Sequence, residues 1–373
     1  PAVLRRRETT RRLDATVVMQ GADSATVRRA LDSRDPLPGT GGFAGELDGA
    51  LVRDVLGRYP LFSEVDDHTT WSADRTDLEN PDPVRAGHRR DADGETQVWT
   101  LPNPEPYAAD DRAVTELRSA IIDSVDGVDS APAIAFSGGI DSSILAARLE
   151  GPLYVGGFEG SHDIEAARSA ADSLDRPLTV IEFTHSDLEG AVPDIVAATG
   201  RSNPMDIAIA LPLYLVGEAV SADGHDNLAV GQGADELFGG YAKVAKAPED
   251  PRVDAETVRG ATREVIASLP AQLERDVLTL RAAGVEPHAP LLDDSVVRAA
   301  LRLPGDLLVD GDERKVALRR AADFLPESVR TREKKAVQYG SLVSRELDRL
   351  ARQAGFKRRM DDHVGQYIDS LVE

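Results

Sequence analysis

Ser137-Gly138-Gly139-Ile140-Asp141-Ser142-Ser143 is the stretch of this chain best equipped for chemistry. Paired glycines let a backbone turn tightly and aim several N–H groups at one point. Ser137, Ser142 and Ser143 bring hydroxyl donors to the same place. A helix beginning at the glycines adds partial positive charge from its N-terminus. Together, Ser137, Gly138, Gly139, Ser142 and Ser143 make a cradle sized for pyrophosphate. Asp141 inside that cradle would repel phosphate unless a Mg2+ lay between them. The segment is not GxxxxGKS/T, because no lysine follows the glycines, and it is not GxGxxG. Its plainer reading is a capped strand-to-helix turn, since serine and glycine are ordinary turn residues.

A second turn has the same build. Asn227-Leu228-Ala229-Val230 runs into Gly231-Gln232-Gly233-Ala234-Asp235-Glu236-Leu237-Phe238-Gly239-Gly240-Tyr241. Again an apolar strand ends in glycines that carry acids. Asp235 alone reads most simply as a helix N-terminal acid stabilising the dipole. Two matched turns on one sheet edge support a second reading: Asp141 and Asp235 share one Mg2+ that faces the phosphates held by the first turn. Oxygen ligands from separate loops, completed by substrate phosphates, suit that ion.

Such turns need rigid strands to hold them. Apolar runs at Ala133–Phe136, Leu153–Phe158, Leu178–Phe183 and Asn227–Val230 read as strands. Between them, helical periodicity begins at Asp141, covers Asp163–Leu174 and Asp187–Ala198, and extends over Ile207–Val220. Another helix is predicted over Asp110–Ser124. Strand–helix alternation predicts an α/β fold, a parallel sheet with helices on both faces, whose ligands bind beyond the carboxyl ends of the strands. Residues 252–373 read as mostly helical. Thr26–Leu101 reads as short strands and turns, with strand, turn, strand over Ala50–Phe62 and another strand at Thr96–Leu101. Pro102-Asn103-Pro104-Glu105-Pro106 reads as a stiff linker.

With 373 residues, 41% of them hydrophobic, the chain has room for two domains. No apolar run is read as reaching the roughly 18 residues that span a bilayer, and no secretory signal is evident, so a cytoplasmic protein with no membrane partner is expected. Residues 1–18 stand apart as an arginine-rich arm, read either as disordered or as lying ahead of a true start at Met19. The net charge of −22 disfavours nucleic acid as a partner. Lysine occurs only at Lys243, Lys246, Lys315, Lys334, Lys335 and Lys357. Acid excess, scarce lysine and few aromatics resemble proteins of salt-loving archaea, in which salt screens the self-repulsion. The absence of cysteine excludes disulfides, thiolate zinc sites and a cysteine nucleophile among these residues.

The first turn resembles the pyrophosphate loop of the AMP-forming ATP pyrophosphatases, whose fold is of the adenine nucleotide alpha hydrolase-like type. With the second turn the likeness narrows to the synthetase domain of the asparagine synthetase family, which has SGGxDSS followed by SGEGADExFGGY. Glu286-Pro287-His288-Ala289-Pro290-Leu291-Leu292-Asp293 resembles that family's ExRxPFLD. Lys315-Val316-Ala317-Leu318-Arg319, Leu325-Pro326-Glu327 and Arg332-Glu333-Lys334-Lys335 resemble its KxxLR, LPxxI and RxKxxF. The resemblance covers about residues 109–345 and implies a synthetase domain over 109–373. It implies pyrophosphate at the first turn, with Gly231 and Gly233 completing the nucleotide site, magnesium at Asp141 and Asp235, and Lys334 against charge growing on the phosphates. It implies adenine near Gly156, Phe158 and Ser161, although Phe158 alone reads as core packing. Lys315 ranks below Lys334, since on a helix it would simply pair with acids. The implied reaction activates a carboxylate, aspartate by default, as an acyl-adenylate that ammonia or another amine then attacks. ATP and Mg2+ are the implied cofactors.

In that family an N-terminal glutaminase domain supplies ammonia through a cysteine at its mature N-terminus. Leu51–Phe62 resembles that domain's xxRDxxGxxPLF, so residues 19–108 resemble a shortened, mainly β remnant of it. This chain begins at Pro1 and has no cysteine, which implies free ammonia, another amine or a separate amidase instead. Three departures bear on substrate. Gln232 replaces the glutamate of SGEGADE, removing a carboxylate able to handle the amine's proton. His288 replaces the arginine of ExRxPFLD. Met205–Pro212 lacks the arginine of TIRxxxP. Fewer cations weaken the case for a substrate with several carboxylates. Glu286 and Asp293 are candidates for substrate or amine contacts, or else a structural ion pair and a helix cap. Other readings stay open: an AMP-forming enzyme acting on a macromolecule, or a nucleotide-binding regulator. The oligomeric state is also open, a homo-oligomer included.

Overall fold

The computed structural model describes residues 18–129, 131–245, 257–332 and 336–372. Between Ala133 and His288, short apolar segments alternate with helices, and they assemble as one parallel sheet. Its strands are β1 (Ala133–Ala135), β2 (Leu153–Gly157), β3 (Leu178–Glu182), β4 (Asn227–Ala229) and β5 (Glu286–His288). The order across the sheet is β3-β2-β1-β4-β5. Every neighbouring pair is parallel, with Ile134 opposite both Leu153 and Ala229 at the centre. β5 falls inside the Glu286–Asp293 motif and was not read as a strand. Pro287 explains why the signal was weak: it lacks an N–H for the ladder and is tolerated here because β5 lies at the sheet edge.

The winding reverses between β1 and β4. From β1 the chain moves outward through β2 and β3, then returns to lay β4 on the other side of β1. At such a reversal the connections part, and a crevice opens beyond the carboxyl ends of the strands. Both glycine turns leave from these two strands.

Helices cover both faces. Asp110–Asp126, His162–Ser173, Asp294–Ala300 and Val316–Ala321 pack on one side, with Leu117, Ile134, Phe136 and Leu318 fully buried among them. His185–Thr199, Pro204–Ala222, Val343–Gln353 and His363–Val372 cover the other. The α/β class with a helical C-terminal part therefore holds.

Pro204–Ala222 corrects one expectation. It is 19 residues long and, by length and composition, is the one helix among the described residues able to cross a bilayer. It packs against His185–Thr199 and Leu269–Ala282, with Ile207, Leu211 and Val220 fully buried. An apolar helix covered on most sides is ordinary core material.

The N-terminal part is antiparallel. Met19–Gln20, Ala44–Leu47, Ala50–Arg53, His88–Asp91 and Gly94–Gln97 form one sheet in that order, and Phe62–Glu64 lies between Asp67–Ser72 and Pro81–Pro83 in another. Two details differ from the sequence reading. The predicted strand at Thr96–Leu101 ends at Gln97. Ser24–Ser33 is a helix and not a strand or turn: Asp23 caps it by accepting from the Thr26 N–H, and Val27 and Ala30 bury one face near Phe43 and Trp99. Only one apolar stripe marks this short polar helix, which is why its period was overlooked. The arginine-rich arm lies outside the described residues apart from Val18.

Arg58 fastens this part to the parallel-sheet part. Its guanidinium lies 2.9 Å from Asp54 and 2.8 Å from Asp294, and donates to the Leu292 carbonyl at 2.8 Å. All three side chains are buried. Charges so placed are tolerated because they satisfy one another.

Candidate active site

Glycine lets the two turns meet. Gly138 has φ +70°, and a Cβ there would stand 2.4 Å from the Ala166 carbonyl oxygen. A Cβ on Gly231 would come within 3.0 Å of the Asp141 Cβ. A side chain at Gly231 would thus push the second turn off the first.

The two acids from these turns converge on one cation. Lys315 Nζ donates to both carboxylate oxygens of Asp141, each at 2.7 Å, and lies 2.7 Å from Asp235 Oδ1. Asp141 and Lys315 are buried, whereas the Asp235 side chain is 41% exposed and faces the crevice. Burial alone would drive the proton off Lys315; the two carboxylates outweigh it and raise the pKa above the ordinary lysine value. Lys315 itself sits at φ +59°, a left-handed conformation that a side chain enters at a cost, directly before helix Val316–Ala321. Sequence reasoning ranked it below Lys334. In a chain with so few lysines, the one inside the KxxLR-like motif was the available signal. Lys334 lies outside the described residues.

The crevice holds a cavity of about 510 Å3. Ser137, Asp141, Ser142 and Gly156 line it from the first half of the sheet, and Gly231, Gln232, Gly233 and Asp235 from the second turn. Ser142 Oγ donates to the Gly139 carbonyl at 3.2 Å. Arg332 also borders the cavity, its guanidinium turned to the Ala166 carbonyl behind the first turn.

The far wall is built by groups that sequence reasoning missed. Helix Leu269–Ala282 contributes Gln272, Arg275 and Asp276. Gln232 Nε2 donates to Asp276 Oδ2 at 2.6 Å, and Arg275 Nε donates to Asp276 Oδ1 at 2.7 Å. Arg275 also donates to Asp206 at 2.8 Å. Glu236 accepts from the Tyr241 hydroxyl at 2.6 Å, and burial lifts its pKa above the ordinary value. The available hint was Glu274-Arg275-Asp276, a run of charges between the apolar Leu273 and Val277.

Other sequence candidates lie off this cavity. Gly138 and Gly139 form the back of the first turn, and Ser143 is fully buried beneath it. Phe158 packs edge-on against Phe183, ring centres 6.2 Å apart, outside the cavity wall. Ser161 caps helix His162–Ser173. Glu286 is ion-paired with Arg281 at 2.7 Å and borders a separate cavity of about 40 Å3, which Gln232 also touches. Asp293 caps helix Asp294–Ala300, accepting from the Ser295 N–H at 2.8 Å. His288 Nε2 lies 3.0 Å from Asn227 Oδ1, and burial lowers its pKa.

A family model described as asparagine synthase matches residues 116–281 and 246–370. The chain belongs to the asparagine synthase family. Among curated relatives, a putative glutamine-hydrolysing asparagine synthetase 1 of Methanocaldococcus jannaschii is 29% identical over 292 residues, 68% of this chain and 53% of the relative. The glutamine-hydrolysing asparagine synthetase B of Escherichia coli is 30% identical over 348 residues, 82% of this chain and 62% of the relative. A nodule asparagine synthetase of Pisum sativum is 28% identical over 231 residues, covering 56% and 39%. The chain thus spans from two fifths to three fifths of the length of these relatives. The matched region of this asparagine synthase family chain contains both glycine turns, Lys315 and the Gln232–Asp276 contact.

Proposed function

We propose that this chain carries out ATP-dependent amide synthesis, activating a carboxylate as an acyl-adenylate with release of pyrophosphate and passing the acyl group to ammonia or another amine. The observation that carries this is the convergence of Asp141 and Asp235 at the strand-order reversal, in a chain of the asparagine synthase family. The first turn, through Ser137, Ser142 and its backbone N–H groups, binds the β- and γ-phosphates. Gly156 lines the cavity with Phe183 and Val216 packed where its side chain would be, and adenine is proposed to lie along this part of the wall.

The donor set fits Mg2+. Two carboxylates from separate turns present hard oxygens beside a phosphate site, the combination this ion uses. Asp141 and Asp235 would hold it, and when bound it would neutralise charge on the leaving pyrophosphate. Lys315 keeps the two carboxylates together and adds a fixed positive charge next to them. Lys334, by its place in the RxK motif, meets charge growing on the α-phosphate.

Aspartate is the default acyl substrate, taken over from the family. The domain reading goes with this proposal: residues 19–108 as a glutaminase-derived remnant and 109–373 as the synthetase part. These 373 residues hold no cysteine, so they supply no thiol for glutamine hydrolysis. Ammonia, an amine or a partner amidase fills that need. The strongly acidic composition supports work at high salt, in the cytoplasm.

The test is carboxylate-dependent exchange of labelled pyrophosphate into ATP, with Mg2+ at molar KCl, over a panel led by aspartate. Exchange with aspartate supports asparagine synthesis, and exchange with another acid reassigns the substrate. ATP binding without exchange for any acid would sink the synthetase reading.

A further inference from the structure

Resting on the synthetase reading, we propose that Asp276 accepts the proton of the attacking amine in the second half-reaction. The family's pattern carries a glutamate where this chain has Gln232, so the second turn lacks that carboxylate. The fold brings another to the same spot. Asp276 comes from a helix 44 positions along the chain, and its Oδ2 lies 2.6 Å from Gln232 Nε2 on the wall of the cavity shared with Asp141 and Asp235.

Asp276 is suited to the task. It is largely buried yet lines the cavity, so it can meet a group bound there. Its other oxygen is fixed by Arg275 at 2.7 Å, and Arg275 is in turn held by Asp206, so the carboxylate is oriented. Burial pushes its pKa up, against the pull of Arg275 and Arg201 and with the push of Asp206. Glu236 is a further buried acid on the wall, but it lies 2.6 Å from the Tyr241 hydroxyl, whereas Asp276 is the acid that touches Gln232.

The chemistry balances. The amine nitrogen forms a bond to the acyl carbon, and the bond from that carbon to the AMP phosphate oxygen breaks. AMP leaves with the electron pair, and the proton shed by the nitrogen goes to Asp276 and then to solvent.

The two half-reactions separate the possibilities. With the acid that supports exchange in the unmodified protein, Asp276→Asn should keep pyrophosphate exchange within about threefold, while lowering amide formation from ammonia by roughly 10²–10⁴-fold. Hydroxylamine, a less basic amine that sheds its proton more easily, should lose much less. The double variant Gln232→Glu/Asp276→Asn returns a carboxylate to the second turn and should recover at least about tenfold of the lost amide rate. A purely structural role for Asp276 predicts no such recovery. Equal losses in exchange and amide formation, or a half-reaction split in Glu236→Gln instead of Asp276→Asn, would overturn the assignment. Absence of exchange in the unmodified protein overturns the synthetase reading itself, which is a different result from a normal exchange with an unchanged amide rate.

Discussion

The cavity has two ends, and the chain builds them differently. At the end proposed for phosphate, the two turns each follow a strand directly, and their acids meet on Lys315. At the end proposed for the amine, Gln232 reaches a carboxylate that comes from a distant helix. Each turn of the first end is local sequence, with glycines, hydroxyls and an acid within a few positions of one another, and packing adds Lys315 between them. The second is made of tertiary packing. Motifs in consecutive residues thus reveal the two turns and leave hidden the contacts that packing makes, Lys315 and Asp276 among them.

The sharpest way to break this comparison is at the phosphate end. Asp141→Asn and Asp235→Asn should each lower carboxylate-dependent pyrophosphate exchange by about 10³-fold, the scale on which a preorganised charge contributes to a phosphoryl-type step. Exchange persisting at full rate in either variant would refute a metal shared between the turns. The same variants should alter exchange and amide formation together, in contrast to Asp276→Asn.

Next in size is the removal of the cation between them. Lys315→Met leaves Asp141 buried beside Asp235 with the ammonium gone, and should cost about 3–5 kcal/mol of stability. Thermal melts check this. If the two carboxylates also hold Mg2+, adding Mg2+ should raise the melting temperature of Lys315→Met more than that of the unmodified protein, since a ligand of the native state stabilises by mass action. No rise with Mg2+ in either protein would mean that these carboxylates do not hold the ion.

Much of the fold was legible in the sequence. β1 to β4 fall within a residue of their apolar runs; β1, β2 and β4 are largely buried and need continuous apolar sequence, whereas β3 is a part-exposed edge strand marked by Leu178, Val180 and Ile181. β5 was hidden by Pro287, and Ser24–Ser33 by its polar composition. At the site, the glycine turns revealed themselves because no other residue permits such close backbone approach. Lys315 was underrated because nothing local indicates that its side chain crosses 174 positions of sequence to Asp141. Asp276 was unseen for the same reason. Arg58 belongs to this class too: the pairing of Asp54 with Asp294 through one buried guanidinium follows only from how the antiparallel part docks.

The smallest effects test which acids belong to neither end. Asp293 and Glu286 both fall in the motif that resembles ExRxPFLD, so sequence alone gave them equal claim to a role at the site. Their surroundings argue otherwise. Asp293 satisfies backbone and hydroxyl donors of Ser295 at a helix start, so Asp293→Ala should cost about 1 kcal/mol of stability, the usual value of an N-cap. Glu286, 36% exposed, pairs with the mostly buried Arg281, and Glu286→Gln, which keeps a hydrogen-bonding side chain, should cost about 1 kcal/mol. Neither lines the cavity that holds Asp141 and Asp276, and pyrophosphate exchange by both variants should stay within about twofold of the parent, as surface and cap substitutions generally allow. Glu286 keeps one path back to function, through the small cavity that it shares with Gln232. A tenfold fall in amide formation by Glu286→Gln, with exchange and melting temperature unmoved, would extend the amine end through Gln232 to this second cavity.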